Sequence, residues 1–200
     1  MPDFNIKSDF NKFKEVFLEE NSKINLISKN DEKLLYEKHF FDSLAIKLFF
    51  EDYNFIPQTI LDIGTGGGFP SVPIAMEYPD INVVAIDSIR KKIKAVQIIT
   101  NKLRLKNITL INDRVENLTN SKFDLIVSRA VGKIDKMIEY SYPLLSDNGY
   151  IILYKSKLVN DELDNAKNII RKYRLKIKPI IEYNLPLSEN FSRVLTILQK

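Results

Sequence analysis

The chain contains no cysteine, one histidine and only six glycines among 200 residues. Without thiols there is no disulfide, no thiolate metal site and no sulfur nucleophile to attack a pyrimidine ring. One histidine leaves no basis for a His-rich metal centre. No apolar run approaches the roughly 18 residues of a membrane span. The opening MPDFNIKSDF has no basic stretch leading into an apolar one, so no secretory signal is expected. Internal repeats and low-complexity tracts are also missing. A cytoplasmic protein with neither metal nor membrane is the expectation. The 44% hydrophobic content, over this length, suits one α/β domain with a short appendage. Thirty Lys and Arg against 26 Asp and Glu, with a pI near 9.0, suit a polyanionic partner without requiring one.

Four of the six glycines fall in one stretch, Thr59–Phe69 (TILDIGTGGGF). An apolar run ends there in Asp62, followed by Gly64, Gly66, Gly67 and Gly68. A strand running into a backbone without Cβ atoms lets a bulky ligand approach the main chain, and the next helix adds free N–H donors. Before it, residues 8–20 pattern as an amphipathic helix. A second helix is expected from an Asn30 N-cap to about Phe50. Residues 1–56 therefore form a helical appendage and 57–200 the α/β unit. From Thr59 apolar runs alternate with helical ones, and the strands (VVAI, DLIV, YIIL) are apolar throughout. That pattern means a mostly parallel sheet covered on both faces. The last two runs, Lys176–Tyr183 and Ser192–Leu198, are joined too closely for a crossover and should pair antiparallel. Seven strands are expected.

Three ligand chemistries compete for the glycine loop. A phosphate-cradling loop needs Lys and Ser/Thr after its last glycine, but Phe69 and Pro70 follow Gly68. The dinucleotide fingerprint G-x-G-x-x-G/A puts Phe69 or Ser71 at its third small position, which weakens that reading. S-adenosylmethionine is the third. Gly64, Gly66 and Gly68 can approach its methionine part, with Asp62 or its backbone neighbours at the cationic end. Asp87, closing the next strand, can accept both ribose hydroxyls. Loops after the third and fourth strands add Asp113–Glu116 and Ser128–Ala130. No Asn/Asp-Pro-Pro-aromatic run follows the fourth strand, which disfavours methylation of an exocyclic base amine. A ring nitrogen with a free lone pair remains a suitable target.

These residues resemble, nearly end to end, the RsmG family (formerly glucose-inhibited division protein B) of bacterial small-subunit ribosomal RNA guanine-N7 methyltransferases. The resemblance is carried by Asn25-Leu26, Glu37-Lys38-His39 and Phe41–Ala45, then Leu61–Ala75 (LDIGTGGGFPSVPIA). Ile86–Ser88, Arg114–Leu118 and Ser128–Val131 follow in order. It implies a class I (Rossmann-like) methyltransferase fold, S-adenosylmethionine as cofactor, and small-subunit (16S) rRNA or the 30S particle as partner. A monomer is expected. By motif, Gly64, Phe69, Val115, Glu116 and Arg129 would contact the cofactor, and Asp87 the ribose. Ser71 and Lys155-Ser156 depart from the family pattern.

No general base is expected, because guanine N7 carries a lone pair and no proton. Arg129 either touches cofactor or base, or pairs with Asp87, Glu116 or another strand-end acid. His39 reads as a buried histidine bonded to a local acid rather than as a ligand or base. Arg90, Lys91, Lys92, Lys94, Lys155 and Lys157 are candidate phosphate contacts. The run Arg171–Lys178 reads as a solvated face. Two other functions fit some of this: a non-catalytic RNA-binding or assembly protein on the same scaffold, and a methyltransferase for another substrate.

Overall fold

The computed structural model describes residues 6–129, 131–187 and 191–200. Ala130 of the SRAV run and the first five residues lie outside them. Five apolar runs form parallel strands: β1 (Thr59–Ile63), β2 (Asn82–Ile86), β3 (Ile108–Ile111), β4 (Phe123–Arg129) and β5 (Leu145–Ser156). Strand β5 begins earlier than the expected Tyr150, because Leu145 already pairs with Phe123 before a register shift. Gly149 lies inside this strand, where a Cβ would sit 2.9 Å from Leu145 Cδ1 and 3.0 Å from the Asp124 carbonyl.

The remaining strands are β6 (Lys176–Ile177), β7 (Ile181–Asn184) and β8 (Ser192–Gln199). Strand β8 runs antiparallel to β5, and both short strands pair with its other edge, giving the order β3-β2-β1-β4-β5-β8-β6. The sheet therefore has eight strands rather than the expected seven. The run Lys176–Tyr183 is broken in two at Pro179, which has no N–H for the ladder. The Lys178 N–H still reaches the Ile197 carbonyl at 2.9 Å just before the break.

Side chains alternate between two buried layers, as strands covered on both faces require. Leu61, Ile63, Ile126, Ile151 and Leu153 face α7 (Ile134–Ser141) and α8 (Asn160–Lys172). Ile60, Leu125, Val127, Ile152 and Leu195 face Ile46, Phe49 and Phe50 of the N-terminal segment and Ile74 of α5 (Ser71–Glu77). A third cluster joins Phe13 and Phe17 of α1 (Phe10–Ile24) to Phe69, Val72 and to Val96 and Ile99 of α6 (Arg90–Leu103). Burying each such phenyl ring contributes about 1.5–3 kcal/mol. The N-terminal helices are thus packed into the same apolar core as the sheet.

The expected helix from Asn30 to Phe50 is not continuous. A short α2 (Lys29–Glu32) starts at Ser28, whose hydroxyl caps the Asp31 N–H at 3.1 Å, so the cap lies two residues before Asn30. A wide π-type turn follows over Tyr36–Phe41, then α3 (Asp42–Leu44) and α4 (Ile46–Asp52). Such turns recur at functional sites because they reorient carbonyls and side chains that a regular helix would keep in line.

Glu77, at the end of α5, fastens the chain's start to this body. Its carboxylate accepts from the Lys7 and Ser8 N–H groups and the Ser8 hydroxyl, and pairs with Lys47 at 3.3 Å. It is 7% exposed. Glu77→Ala is expected to lower unfolding stability by about 2–3 kcal/mol in urea titration, the range for hydrogen bonds to a buried charge.

Candidate active site

Registers Ile63↔Ile86 and Ile86↔Ile111 end β1, β2 and β3 at one level, so their following residues converge on one edge of the sheet. A cavity of about 770 Å³ opens there. It lies beyond the carboxyl ends of the parallel strands, the usual ligand position in open α/β sheets, and within the roughly 300–1,000 Å³ of cofactor pockets. Gly64, Gly66, Phe69, Asp87, Val115, Glu116 and Arg129 all line it.

Gly68 does not. Its φ is +91°, and a Cβ there would sit 2.7 Å from Val72 Cγ2, so this glycine serves the turn into α5. Gly64 is similarly constrained, with Val131 Cγ2 2.4 Å from where its Cβ would be. Gly66 is the least crowded of the loop glycines: a Cβ there would meet only the Gly64 carbonyl, at 3.9 Å, although its φ of +57° also favours glycine. The loop is therefore stripped of side chains mainly because of its own packing and backbone conformation, and Gly66 is the position with most room beside the cavity.

Two carboxylates set the loop's shape. Asp87 accepts from the Gly66 N–H at 2.9 Å and the Ile89 N–H at 2.8 Å, one bond on each oxygen. Each oxygen keeps a lone pair, enough for a vicinal diol. Of the two expected ways to meet the cationic end, the Asp62 carboxylate or its backbone neighbours, the carboxylate does not line the cavity, whereas the neighbours Ile63 and Gly64 do. Asp62 is fully buried under the loop, where it accepts the Ser71 N–H at 3.3 Å. Burial pushes its carboxyl up to about 6. Ser71, one of the departures from the family pattern, shares a 2.6 Å hydrogen bond with the Thr65 hydroxyl and so closes the turn. Val115 is buried at the cavity wall and Glu116 is exposed at its rim.

Arg129 ends β4 and reaches back to the N-terminal segment rather than to Asp87 or Glu116. Its Nη1 donates to the Lys38 carbonyl at 2.9 Å and to Asp42 at 3.1 Å, and its Nη2 donates to His39 Nδ1 at 2.9 Å. The guanidinium also lies 5.1 Å from the Phe69 ring. Tyr183 donates to the other Asp42 oxygen, and Tyr154 to the Ser43 carbonyl. A guanidinium only donates, so His39 Nδ1 is the acceptor and the proton sits on Nε2. His39 is bonded to a cation rather than to the expected local acid, and its Nε2 is buried without a partner among the described residues. Burial, with the Arg129 charge second, pushes this imidazole down to about 3.

Of the expected phosphate contacts, Lys92 lines the cavity, and Arg90, Lys91 and Lys94 are on α6 outside it. Lys155 is tied to Glu162 and the Gly132 carbonyl, and Lys157 to Glu182. Residues missed from sequence include Lys38, Phe191 and Arg193, all lining the cavity. Lys38 belongs to the Glu37-Lys38-His39 motif, which gave it no role, and no local motif marks Phe191 or Arg193, because β8 and the π-type turn meet only in the folded chain. Among the described residues no group of three His, Cys, Asp or Glu side chains is placed to hold a metal, and no helix is long and apolar enough to cross a membrane.

The family model for GidB, rRNA small subunit methyltransferase G, matches residues 6–184. The chain belongs to this family. It is 38% identical over 180 residues to ribosomal RNA small subunit methyltransferase G of Mesoplasma florum, covering 88% of this chain and 75% of that one. The Lactobacillus johnsonii protein of the same name is 34% identical over 199 residues, covering 97% and 83%. Among solved structures, a Listeria monocytogenes protein assigned as a class I S-adenosylmethionine-dependent methyltransferase superposes with a TM-score of 0.71. It shares 17% identity and covers 97% of this chain and 69% of that one. A Pyrococcus furiosus methyltransferase gives 0.62 at 18% identity, covering 79% and 82%. The fold is that of the class I methyltransferases.

Arg129→Ala removes the cation paired with Asp42, a carboxylate that is 2% exposed. It should cost about 3–5 kcal/mol of stability, the usual penalty for stranding a buried charge, and adding Asp42→Asn should recover part of that in a double-mutant cycle. His39 gives a pH prediction. Its folded value lies below the unfolded 6.5, so the unfolded chain binds the extra proton between about 3 and 6.5. Stability from this residue is present above pH 6.5 and is lost as pH falls towards 3. Urea unfolding from pH 7 to 4.5 should show a shallower decline for His39→Gln than for the parent chain.

Proposed function

We propose that the chain is an S-adenosylmethionine-dependent methyltransferase that methylates N7 of one guanine in small-subunit (16S) ribosomal RNA. The observation that carries this reading is the glycine loop, lining the cavity at Gly64 and Gly66 with the Gly66 N–H bonded to Asp87, in a chain that belongs to the rRNA small subunit methyltransferase G family. The residues present fit the cofactor. Gly66 admits close approach to the backbone, Asp87 keeps acceptor capacity for a ribose diol, and Val115 and Phe69 give apolar walls. The working unit in this reading is one chain without metal, acting in the cytoplasm where its RNA is.

S-adenosylmethionine supplies a methyl group on a positively charged sulfur. The chain's own part is to place and to exclude. Guanine N7 offers an in-plane lone pair and loses no proton, so the cavity needs no general base. His39 is unsuited to be one, since its Nδ1 is already an acceptor and its ring stays neutral well below pH 7. Positioning therefore carries the catalysis. Arg129, held in three hydrogen bonds, fixes the wall formed by Phe69 and His39. N7 lies on the major-groove edge, which is closed in an A-form helix, so the target base has to leave its stack or lie in a loop.

Chemical cleavage at N7-methylguanine, applied to small-subunit rRNA from cells with and without the gene, tests the reading. One cleavage site should vanish in the deletion and return with the wild-type gene, but not with Asp87→Ala. An unchanged cleavage pattern would reject the proposed activity. Retained S-adenosylmethionine binding in that case would point to another substrate.

A further inference from the structure

Phe191, the residue before β8, is a large aromatic side chain left in the open. It is 42% exposed and belongs to none of the three apolar clusters, yet its ring lines the mouth of the cavity. Only its backbone is secured, the Phe191 carbonyl accepting the Leu185 N–H at 3.0 Å. Two cations attend the ring. The Arg193 guanidinium lies 5.3 Å from its centroid and the Lys38 ammonium 6.0 Å. Arg193 is paired with no acid among the described residues, and its Nε is buried there without a hydrogen-bond partner. Lys38 keeps one pairing, with Asp31 at 3.0 Å.

Both signs of charge line each side of the cavity. Asp87, Asp113 and Glu116 stand with Lys92 and Arg114 at the β2 and β3 side. Lys38, Arg129 and Arg193 stand with Asp31 and Asp42 at the side of the π-type turn and β8. Asp31 pairs with Lys38 and Asp42 with Arg129, which leaves Arg193 as the cation beside the ring without an acid among the described residues. A half-exposed aromatic ring set between cations suits an unpaired nucleobase, whose flat face stacks on the ring while neighbouring phosphates meet the charges. An acidic or apolar protein segment would leave either the ring face or the cations without use.

We propose that Phe191 is a stacking platform for an unpaired base of the RNA substrate, with Lys38 and Arg193 as its flanking phosphate contacts. The platform belongs to β8 and the π-type turn, whereas Gly66 and Asp87 follow β1 and β2, so in this proposal RNA binds at different residues from the methyl donor. This inference rests on the reading of the chain as an RNA methyltransferase.

The test uses Phe191→Ala, →Leu, →Tyr and →Trp in the full chain, with deproteinised small-subunit rRNA as substrate. Loss of one base stack should lower kcat/KM for RNA roughly ten-fold or more in Phe191→Ala, through KM. The KM for S-adenosylmethionine and the melting temperature should stay at wild-type values. Phe191→Tyr should keep most of the activity and Phe191→Leu should not. Because the chain has no tryptophan, Phe191→Trp introduces a single reporter. Its emission should be quenched by a single-stranded RNA oligomer without the methyl donor. Three results would overturn the platform: Phe191→Ala within two-fold of wild type, Phe191→Leu as active as Phe191→Tyr, or a matching rise in the KM for S-adenosylmethionine. Should wild type methylate no rRNA, the proposed function fails. The tryptophan signal then decides the platform by itself, and an emission that does not respond to RNA sinks it.

Discussion

The Arg129 guanidinium holds together two parts of the chain that lie about ninety residues apart in sequence. It ends the fourth parallel strand, and its three acceptors (Lys38 carbonyl, His39 Nδ1 and Asp42) all come from the N-terminal segment. A regular helix over residues 30–50 would keep His39 and Asp42 on one face but would bond the Lys38 carbonyl within itself. The π-type turn at Tyr36–Phe41 instead offers all three to one cation. Asp42 is 2% exposed, and a carboxylate so buried requires a cation and hydrogen bonds. Arg129 and the Tyr183 hydroxyl provide them. With that pairing made, Phe69 and His39 are held as one wall of the cavity.

A buried ion pair of this kind is a poor source of net stability, because desolvation offsets most of the Coulombic gain. Its use here is geometric. The Phe rings of α1 would hold the N-terminal helices on α5 and α6 in several slightly different positions, since apolar contact is non-directional. Three hydrogen bonds from a planar, rigid cation allow far fewer. The orphaned His39 Nε2–H is a cost of the same arrangement. The Arg129 contact fixes the tautomer, and the ring plane then leaves Nε2 among apolar neighbours, including Phe69 with ring centroids 5.0 Å apart.

Sequence patterning was sufficient for the parallel strands, because each is an apolar run with a turn signal behind it. It also placed the convergent residues. Gly64, Gly66, Asp87, Val115 and Glu116 each follow a strand end, and parallel register brings such positions together. Long-range demands were not legible. The helix expected from Asn30 is interrupted by the π-type turn that carries Arg129's partners, and Lys176–Tyr183 is split at Pro179, leaving two strands on β8 where one was expected. The glycines answer more than one demand. Gly64, Gly66 and Gly68 are the expected cofactor contacts, and Gly64 and Gly66 line the cavity while Gly68 does not; Val131, Val72 and the Leu26–Phe69 packing fill the space beside Gly64, Gly68 and Gly67. A local motif cannot distinguish a missing side chain that admits a ligand from one that admits the protein itself.

In the proposed reading one cavity serves two dissimilar guests, and its sides differ in what they leave unpaired. On the β2 and β3 side Asp87 keeps acceptor capacity for hydroxyl groups. On the other side Arg193 has no paired acid among the described residues and the Phe191 ring is open. In a rigid pocket with uniform charge, a polyanionic chain would compete for the whole volume. Here Asp87 stands after β2, the open Phe191 ring and Arg193 stand at β8, and β4 with its Arg129 lies between those strands in the sheet. The latch that fixes the N-terminal segment therefore also fixes Lys38, which belongs to the turn that Arg129 holds. In the proposed reading, one side of the RNA platform is thus set by the same contacts that satisfy a buried carboxylate.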